Sequence, residues 1–391
     1  MAEAKVAKIA VSAATYWLDK PYDYLIPENM QGKVTPGMRV IVPFSRGNRQ
    51  SEGIVLGLSD HSDFGDKLKP VISVLDTEPV LTLSQIKLAL WMHDRLFCTV
   101  YDAVKAILPA GLWFKPDGSR RINDKTVEFV ELAQSKRHKA PQQASILELL
   151  CSTGRVPAQE LLHFTGASRQ SLKALINAGF AISEFEEVFR RPEVWNGEIQ
   201  PIPELNSDQQ NAFEGLSELL SSDKPRAALL FGVTGSGKTA VYIHLIDKVL
   251  NEGKTAILLV PEIALTPQMI RTFSSYFGNS VAVLHSSLSI GERYDEWKRV
   301  KSGSARLVIG TRSAIFAPCE NLGLIIIDEE QEDSYKSENS PRYHARDIAK
   351  YLCAKSNSLL LLGSATPDLE SRYSAQIGRY KFFTLSKRYN K

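Results

Sequence analysis

Cysteine is scarce in this sequence, and the spacing of the few cysteines excludes two kinds of site. The four cysteines stand at positions 98, 151, 319 and 353 and form no Cys-X-X-Cys pair. Zinc sites and the disulfide frameworks of small secreted proteins need closely spaced cysteines. We therefore expect neither in this chain, and we expect a reducing compartment, the cytoplasm.

Long apolar runs and a strong net charge are also missing. No run reaches the roughly 18 apolar residues of a membrane span, and residues 1–8 lack the apolar core of a signal peptide. The net charge is only +3, so a nucleic-acid surface must be a local patch. A chain of 391 residues with 43% hydrophobic residues is long enough for two or three globular domains.

Residues 227–250 combine an apolar run, a glycine-rich loop and a helical pattern. Residues 227–231 predict a buried strand, residues 232–239 have the P-loop spacing Gly-X-X-X-X-Gly-Lys-Thr, and residues 241–250 predict a helix. Glycines let backbone N–H groups converge on phosphate oxygens, and the helix N-terminus adds partial positive charge. The sequence therefore predicts an ATP site, with Lys238 on the β- and γ-phosphates and Thr239 on Mg²⁺. The other expected ligands in this loop are Gly232, Thr234, Gly235, Ser236 and Gly237.

A second apolar run, residues 324–327, ends in adjacent carboxylates. Strand and helix patterns alternate after residue 204, which predicts a parallel sheet whose strands end at one edge. We expect Asp328 to hold Mg²⁺ through water and Glu329 to orient and polarise the attacking water. The remaining expected strands are 255–261, 280–285, 305–310 and 358–363.

Polar loops near these motifs suit contacts with nucleotide and with single-stranded DNA. Gln209 precedes the P-loop strand and is expected to read the adenine edge. Ser364 and Thr366 follow a strand and are expected to sense the γ-phosphate. Loops after two other strands offer hydroxyl, amide and guanidinium groups to a phosphate backbone. The candidates in those loops are Thr266, Gln268, Thr311 and Arg312.

The segment 333–347 mixes aromatic and basic residues. This composition predicts base stacking together with phosphate pairing, which is typical of single-strand binding. The candidates are Tyr335, Arg342, Tyr343 and Arg346. The alternative is that these residues only anchor the loop.

The first segment of the chain, up to about residue 115, carries short β-like runs. Strands are expected at 6–12, 22–26, 39–43, 52–58 and 69–75, and helices at 84–97 and 101–108. Asp23 lies between Tyr22 and Tyr24 at a strand start, where the local sequence favours a turn-capping carboxylate. This segment contains no catalytic constellation.

The middle segment predicts a winged helix. Helices are expected at 142–151, 157–164 and 168–178, followed by an alternating wing from residue 179. Basic residues precede it at 120–121, 125 and 136–139. A DNA-reading role for the third helix and a protein-docking role remain open, because Glu184, Glu186 and Glu187 make the wing acidic.

The combined motifs resemble a known helicase family. Residues from 205 onward resemble the first motor lobe of superfamily 2 helicases. Together with Tyr22-Asp-Tyr-Leu-Ile-Pro27, Gly310-Thr-Arg-Ser313 and Arg342-Tyr-His-Ala-Arg-Asp347, they are similar to the PriA (primosomal protein N′) family of replication-restart helicases. The resemblance implies that Tyr22, Asp23, Phe44 and Lys69 form a pocket for the 3′ end of a nascent strand. In that pocket the Asp23 carboxylate would accept a hydrogen bond from the terminal hydroxyl.

The sequence departs from that family at three points. Ser45 replaces a usual Gly after Pro-Phe, so we expect a narrower pocket, and Gln331 replaces a usual His. Gln331 is still expected to hydrogen-bond to the loop 363–367. The family continues with a second motor lobe, a cysteine-rich zinc module and a C-terminal domain. We therefore expect an N-terminal fragment that binds DNA and hydrolyses ATP poorly, with zinc only in the missing part.

We thus predict a multidomain α/β chain. The expected domains are a mostly-β DNA-binding domain at 1–118, a winged helix at 119–200 and a RecA-like P-loop lobe at 201–391. The expected function is an ATP- and Mg²⁺-dependent 3′-to-5′ DNA helicase that recognises stalled forks and starts primosome assembly. Catalysis would rest on Lys238, Asp328, Glu329 and Gln331.

The resemblance also implies partners and a location. The partners would be branched DNA with a nascent 3′ end, single-stranded DNA, single-stranded DNA-binding protein and other primosome proteins, at the bacterial nucleoid and without a membrane. The alternatives are another superfamily 2 translocase in repair or restriction, and a non-catalytic fork-binding module that uses ATP as a ligand. A nucleotide kinase is disfavoured because no phosphoryl-acceptor site is recognisable.

Overall fold

The computed structural model describes residues 5–113, 122, 124–134, 140–192, 195–222 and 226–386, apart from the Asp66 side chain. The predicted basic positions 120–121 and 136–139 lie outside these residues. The chain forms two compact units, one from residues up to 114 together with those from 192 onward, and the other from residues 115–191. The finer division into domains at 118 and 200 stays a prediction.

The first unit opens with an antiparallel sheet. Its strands are β1 (Val6–Val11), β2 (Tyr22–Leu25), β3 (Arg39–Phe44), β4 (Arg49–Ser59) and β5 (Ser73–Val74), in the order β2-β1-β4-β3-β5. Alternating apolar residues of β1, β3 and β4 bury a core beneath the sheet. The mostly-β character predicted for this segment is therefore confirmed.

The strand predicted at 69–75 is shorter than expected. Only Ser73–Val74 pairs with β3, because the backbone around Pro70 bonds to Leu25 of β2 instead. The Leu25 N–H donates to the Lys69 carbonyl over 2.9 Å, and the Val71 N–H donates to the Leu25 carbonyl over 3.0 Å. Pro70 has no N–H and cannot continue a ladder. This exchange of partners places Lys69 next to β2.

Two helices follow, α1 (Leu83–Leu96) and α2 (Val100–Ile107). Thr82 and Gln85 form a capping box that fixes the start of α1. Both helices share a hydrophobic core with one face of the later parallel sheet. Their contacts include the rings of Trp91 and Tyr351, with centroids 4.7 Å apart.

The second unit has the winged-helix elements. In chain order these are β6 (Thr126–Leu132), α3 (Pro141–Thr153), β7 (Val156–Pro157), α4 (Ala158–Thr165), α5 (Arg169–Asn177) and β8 (Ala181–Glu187). The strands form a sheet in the order β7-β6-β8. The three predicted helices are confirmed, and Ser168 caps the start of α5, whereas β6 was not predicted.

The rest of the first unit is a parallel sheet flanked by helices. Its elements are α6 (Ser207–Leu220), β9 (Arg226–Gly232), α7 (Lys238–Asn251), β10 (Thr255–Leu259), α8 (Pro267–Phe277), β11 (Val281–Leu284), α9 (Ile290–Lys301), β12 (Leu307–Gly310), β13 (Leu322–Asp328), α10 (Ala345–Ser356), β14 (Leu359–Ser364), α11 (Leu369–Gln376) and β15 (Lys381–Leu385). The strand order is β11-β12-β10-β13-β14-β9-β15, with parallel pairing throughout. The predicted RecA-like sheet is confirmed, and β15 is an addition to it.

The strand order divides the sheet edge into two halves. The C-terminal ends of β9, β13 and β14 are neighbours and carry the P-loop, the carboxylates and Ser364. The ends of β10, β11 and β12 are neighbours on the other half. Within the described residues, no helix combines the length and the apolarity that crossing a membrane requires.

Candidate nucleotide and nucleic-acid sites

The P-loop joins β9 to the first turn of α7. Gly235 and Gly237 have φ of +80° and +81°, values that favour glycine. A Cβ on Gly232 would approach the Ser236 Oγ to 2.5 Å, so glycine is required there as well. The Lys238 ammonium donates to the Gly232 carbonyl over 3.0 Å and forms a 3.2 Å ion pair with Glu329. The Lys238 ammonium is thus bonded to the backbone of the P-loop itself and to Glu329.

Asp328 is held at the end of β13 by Tyr242. The Tyr242 hydroxyl, which is 1% exposed as a residue, donates to the Asp328 Oδ1 over 2.8 Å. Burial raises the pKa of the Asp328 carboxyl, and the hydrogen bond from Tyr242 opposes that rise. Tyr242 lies on α7, four residues after Lys238, so one helix face supplies both side chains.

Glu329 begins a hydrogen-bonded chain that crosses from β13 to β14. The Gln331 amide donates to the Glu329 Oε2 over 3.1 Å and accepts from the Ser364 hydroxyl over 2.5 Å. Ser364 accepts from the Thr366 N–H over 2.9 Å. Partial burial raises the pKa of Glu329, but the bond from Gln331 and the charge of Lys238 outweigh it and hold the pKa low. The predicted link from Gln331 to the loop 363–367 is confirmed.

The side chains of the P-loop and of the end of β13 suit a nucleoside triphosphate bound together with Mg²⁺. The Ser236 hydroxyl is buried and has no hydrogen-bond partner within the described residues, and the Thr239 hydroxyl stands exposed beside Lys238. The described residues contain no group of three His, Cys, Asp or Glu that could hold a metal. A site with one carboxylate and one hydroxyl instead suits Mg²⁺, which takes its other ligands from phosphates and water.

The chain's own groups have distinct tasks in such a site. When bound, MgATP supplies the phosphoryl group and the metal charge that balances it. Lys238 would exchange its bond to Glu329 for phosphate oxygens, which frees the carboxylate. Oε1 of the Glu329 carboxylate, which Lys238 occupies in this structure, would then be available to accept the proton of a water molecule.

The predicted adenine contact of Gln209 is not supported by its position. Gln209 is fully buried, its Nε2 donates to the Ser236 carbonyl over 3.1 Å, and its Oε1 accepts from the Asn206 N–H over 2.9 Å. The prediction is corrected, because the amide is occupied in bracing the P-loop from α6. Gln209 is a positioning residue for that loop.

Three of the predicted DNA contacts in the segment 333–347 are buried instead. Tyr335 is 0% exposed and donates to the Asp328 carbonyl, and Tyr343 packs its ring on Phe316 at a centroid distance of 4.8 Å. Arg346 is inside an ion-pair cluster with Glu330 and with two acidic residues around the start of α11. Neither tyrosine offers a free face for stacking. We therefore correct the DNA-contact prediction for Tyr335, Tyr343 and Arg346, and the anchoring alternative applies to them.

The remaining predicted DNA contacts are divided by exposure. Thr266, Gln268 and Arg342 are exposed, whereas Thr311 is buried. Arg312 is half-buried, its Nη1 donates to the carbonyls of Ser334 and Lys336, and its guanidinium lies 5.9 Å from the centre of the Tyr343 ring. Topology places the loops after β10 and β12 side by side, so Thr266, Gln268, Thr311 and Arg312 share one half of the sheet edge, whereas Arg342 lies in the loop after β13.

The residues predicted to hold a 3′ end line one cavity in the N-terminal sheet. The cavity has a volume of about 390 Å³, and its walls include Tyr22, Asp23, Phe44 and Lys69. The rings of Tyr22 and Phe44 meet edge to face, with centroids 5.2 Å apart. The Lys69 ammonium donates to the Ser45 carbonyl over 2.7 Å. Strand pairing thus brings Phe44 and Lys69, which are distant in sequence, next to Tyr22 and Asp23 in one site.

The Asp23 carboxylate is fixed by two donors. The Lys8 ammonium lies 3.2 Å from Oδ1, and the Ser62 hydroxyl donates to Oδ2 over 2.7 Å. Each carboxylate oxygen can accept a second hydrogen bond. The side chain is about 10% exposed, so it can still meet a ligand in the cavity. Ser62 is 39 residues away from Asp23 in sequence, so the Asp23 carboxylate makes a tertiary contact and does not simply cap a local turn.

Ser45 stands where the resembled family usually has Gly. Its φ is +63°, in the left-handed region that favours glycine. The backbone conformation suited to Gly is therefore kept although the residue is Ser, and the strained position lies at the wall of the cavity.

Sequence reasoning missed three supporting residues. Tyr242 could have been found from its spacing to Lys238 on one helix. Ser62 and Glu330 carry no such signal, because their partners Asp23 and Arg346 are brought near only by tertiary folding.

Comparison with known proteins gives two family matches. Residues 8–109 match the 3′DNA-binding domain (3′BD) of PriA, and residues 206–373 match the DEAD/DEAH box helicase family. A solved structure of RecG bound to a three-way DNA junction is 26% identical, covers 48% of this chain and 24% of that chain, and has a TM-score of 0.37.

Curated relatives match nearly the whole chain. The replication restart protein PriA of Bacillus subtilis (strain 168) is 39% identical over 98% of this chain and 56% of its own length. PriA of Chlamydia trachomatis is 36% identical over 95% of this chain and 50% of its own length. The chain thus spans about half the length of the curated relatives it matches. The chain is similar to these PriA replication restart proteins over nearly its whole length, and its two matched segments correspond to a 3′DNA-binding domain followed by a DEAD/DEAH box helicase domain.

Proposed function

We propose that this chain belongs to an ATP-dependent 3′-to-5′ DNA helicase that recognises stalled replication forks and starts primosome assembly. The observation that carries the proposal is the presence of two sites in one compact unit. One is the nucleotide site around Lys238 and Glu329, and the other is the cavity around Asp23.

The cavity supports recognition of a strand end. A free 3′-hydroxyl can donate to the unused acceptor positions of Asp23, whereas a 3′-phosphate brings a second negative charge next to the carboxylate. Tyr22 and Phe44 offer aromatic surface for the terminal base, and Lys69 offers a cation for its phosphate. A translocase that only moves along DNA needs no such pocket, which favours fork restart over the repair and restriction alternatives.

The nucleotide site supports a motor. The DEAD/DEAH box helicase match implies use of ATP and Mg²⁺. Lys238 and Thr239 are the proposed phosphate and metal contacts, with Asp328 on Mg²⁺ and Glu329 as base. Gln331 connects that base to Ser364, and such a connection suits transmission of the nucleotide state to the DNA-binding edge.

The proposed partners rest on the resemblance to replication-restart helicases and not on a contact seen in this chain. Forked DNA with a nascent 3′ end and single-stranded DNA are the proposed nucleic-acid ligands, with Thr266, Gln268, Arg312 and Arg342 as proposed contacts; the contact expected of Thr311 is withdrawn because that residue is buried. Single-stranded DNA-binding protein and other primosome proteins are the proposed protein partners, and the bacterial cytoplasm at the nucleoid is the proposed location.

Glu329→Gln tests the motor assignment. Fork binding, ATP hydrolysis and strand separation are measured with MgATP in the full-length protein, for the wild type and for the variant, because this chain alone is expected to hydrolyse ATP poorly. Unwinding by the wild type that the variant loses, with fork binding retained, supports the helicase. Fork binding by both proteins with no ATP hydrolysis by either would instead favour a non-catalytic fork-binding module.

A further inference from the structure

A second cavity, of about 210 Å³, lies between α2 and α9 and is separate from both sites described above. One wall is the end of α2 with Pro109 and Ala110. The opposite wall is α9, through Arg293 and Trp297, and Ser313 completes the lining. The cavity therefore stands where the N-terminal segment meets the half of the sheet edge that carries the loop after β12.

The polar groups of this cavity are donors. Lys105 and Arg293 are cationic, Ser313 has a hydroxyl, and no Asp or Glu occurs among its described lining residues. Lys105 keeps its ammonium 5.0 Å from the centre of the Tyr101 ring. A cavity with cations and without carboxylates favours an anionic ligand.

Two of these donors lack an acceptor. Trp297 is 5% exposed, and its indole Nε1–H has no partner within the described residues. The same holds for the Arg293 Nε–H, although the Nη2 of that guanidinium donates to the Ser286 carbonyl over 2.8 Å. Arg293 and Trp297 are four residues apart on α9 and so face the same side. A buried donor without an acceptor costs free energy. Because both nitrogens are shielded from solvent, a phosphate oxygen would recover that free energy once the two side chains turn toward the cavity.

We propose that this cavity binds one phosphate group of a DNA strand. The anionic chemistry follows from the lining itself, and DNA as the source rests on the proposed function. Ser313 directly follows Thr311 and Arg312 in the loop after β12, so the cavity continues the proposed DNA-binding edge toward the N-terminal sheet. A strand that leaves the motor surface would be held here before it reaches the N-terminal sheet.

The salt dependence of single-stranded DNA binding tests the contact. Each phosphate contact contributes about 0.7 to the slope of log affinity against log salt concentration. Arg293→Gln is expected to reduce the slope by about that amount. Lys248→Gln is the matched control, since it removes the same charge from the far end of α7 and should leave the slope unchanged. An Arg293→Gln slope equal to that of the wild type would overturn the proposal.

The indole resonance of Trp297 gives a readout that does not depend on activity. In ¹⁵N-labelled protein, Trp297→Phe assigns that resonance among the five tryptophans. A shift with a thymidine oligonucleotide, lost in Arg293→Gln, supports the proposal. A shift with inorganic phosphate alone would show a site for free phosphate and overturn DNA as the source, and no shift with either would overturn the site. If the wild type showed no preference for a fork that ends in a 3′-hydroxyl but kept the Trp297 shift, the result would count against the proposed function and not against this phosphate site.

Discussion

Replacing Arg346 tests whether this residue is a structural ion-pair partner rather than a DNA contact. Its Nη1 lies 2.9 Å from the Glu330 Oε2 and 2.8 Å from the Asp368 Oδ2. The Glu330 side chain is 0% exposed and also accepts from the Ser371 hydroxyl and the Asp368 N–H. Together these bonds join the loop after β13 to the start of α11.

The expected loss is large because the partner charge is buried. Arg346→Ala would leave the Glu330 carboxylate in the interior with only neutral donors, and removing one member of a buried pair typically costs about 3–5 kcal/mol. The contact with Glu370 adds little, since that carboxylate is 79% exposed. The free energy of unfolding should therefore fall by about 3–5 kcal/mol.

The pH dependence of the loss has a defined sign. Arg346 lowers the pKa of Asp368 mainly through their hydrogen bond. A lowered pKa contributes stability above the unfolded value of about 4, and that contribution disappears as the pH falls through the folded value. The difference between the wild type and Arg346→Ala should consequently shrink in acid.

Urea unfolding measures this loss, with Arg342→Ala as the control. Arg342 is exposed, so its replacement should change stability by less than about 0.5 kcal/mol. The double variant Glu330→Gln with Arg346→Met should recover part of the loss, because it removes both charges. A change below about 1 kcal/mol in Arg346→Ala, together with weakened DNA binding, would refute the reasoning and restore a DNA contact for Arg346.

Two further predictions concern single side chains at the proposed sites. Ser45→Gly should raise the free energy of unfolding by about 0.5–1 kcal/mol in thermal denaturation, because a left-handed conformation costs an L-residue more than glycine loses in chain entropy; a destabilised variant would contradict this. Tyr242→Phe should weaken Mg²⁺-dependent nucleotide binding about 10–100-fold in calorimetric titrations, because it removes the donor that orients Asp328. Unchanged Mg²⁺ dependence would show that Tyr242 only packs.

The local motifs of this chain were predictable, and the reason is physical. The P-loop and the Asp328-Glu329 pair each follow an apolar strand, and parallel strands must end at one edge. The starts of α1 and α5 were predictable to within one residue as well, because helix starts depend on nearby side chains, here the caps Thr82 and Ser168. The link from Gln331 to the loop 363–367 was expected from the resemblance to the helicase family, and the structure makes it through Ser364.

Features that depend on distant partners were not predictable. The segment 333–347 is polar in composition, yet Tyr335 and Tyr343 are buried because β13 and Phe316 cover them. Strand β6 pairs with β8, whose register joins Thr126 to Glu187, and local periodicity does not reveal such a pairing. Gln209 was assigned to a nucleotide because its sequence position does not show that the P-loop backbone occupies its amide.

Discrimination between strand ends tests the central claim most directly. Fluorescence anisotropy at one fixed salt concentration would compare forks whose leading nascent strand ends in a 3′-hydroxyl or a 3′-phosphate. The account predicts tighter binding of the 3′-hydroxyl fork by the wild type, and loss of that preference in Asp23→Ala. Lys33→Ala, at an exposed lysine outside the cavity lining, serves as the control and should keep the preference. Equal binding of both forks by the wild type would contradict an end-reading pocket at Asp23.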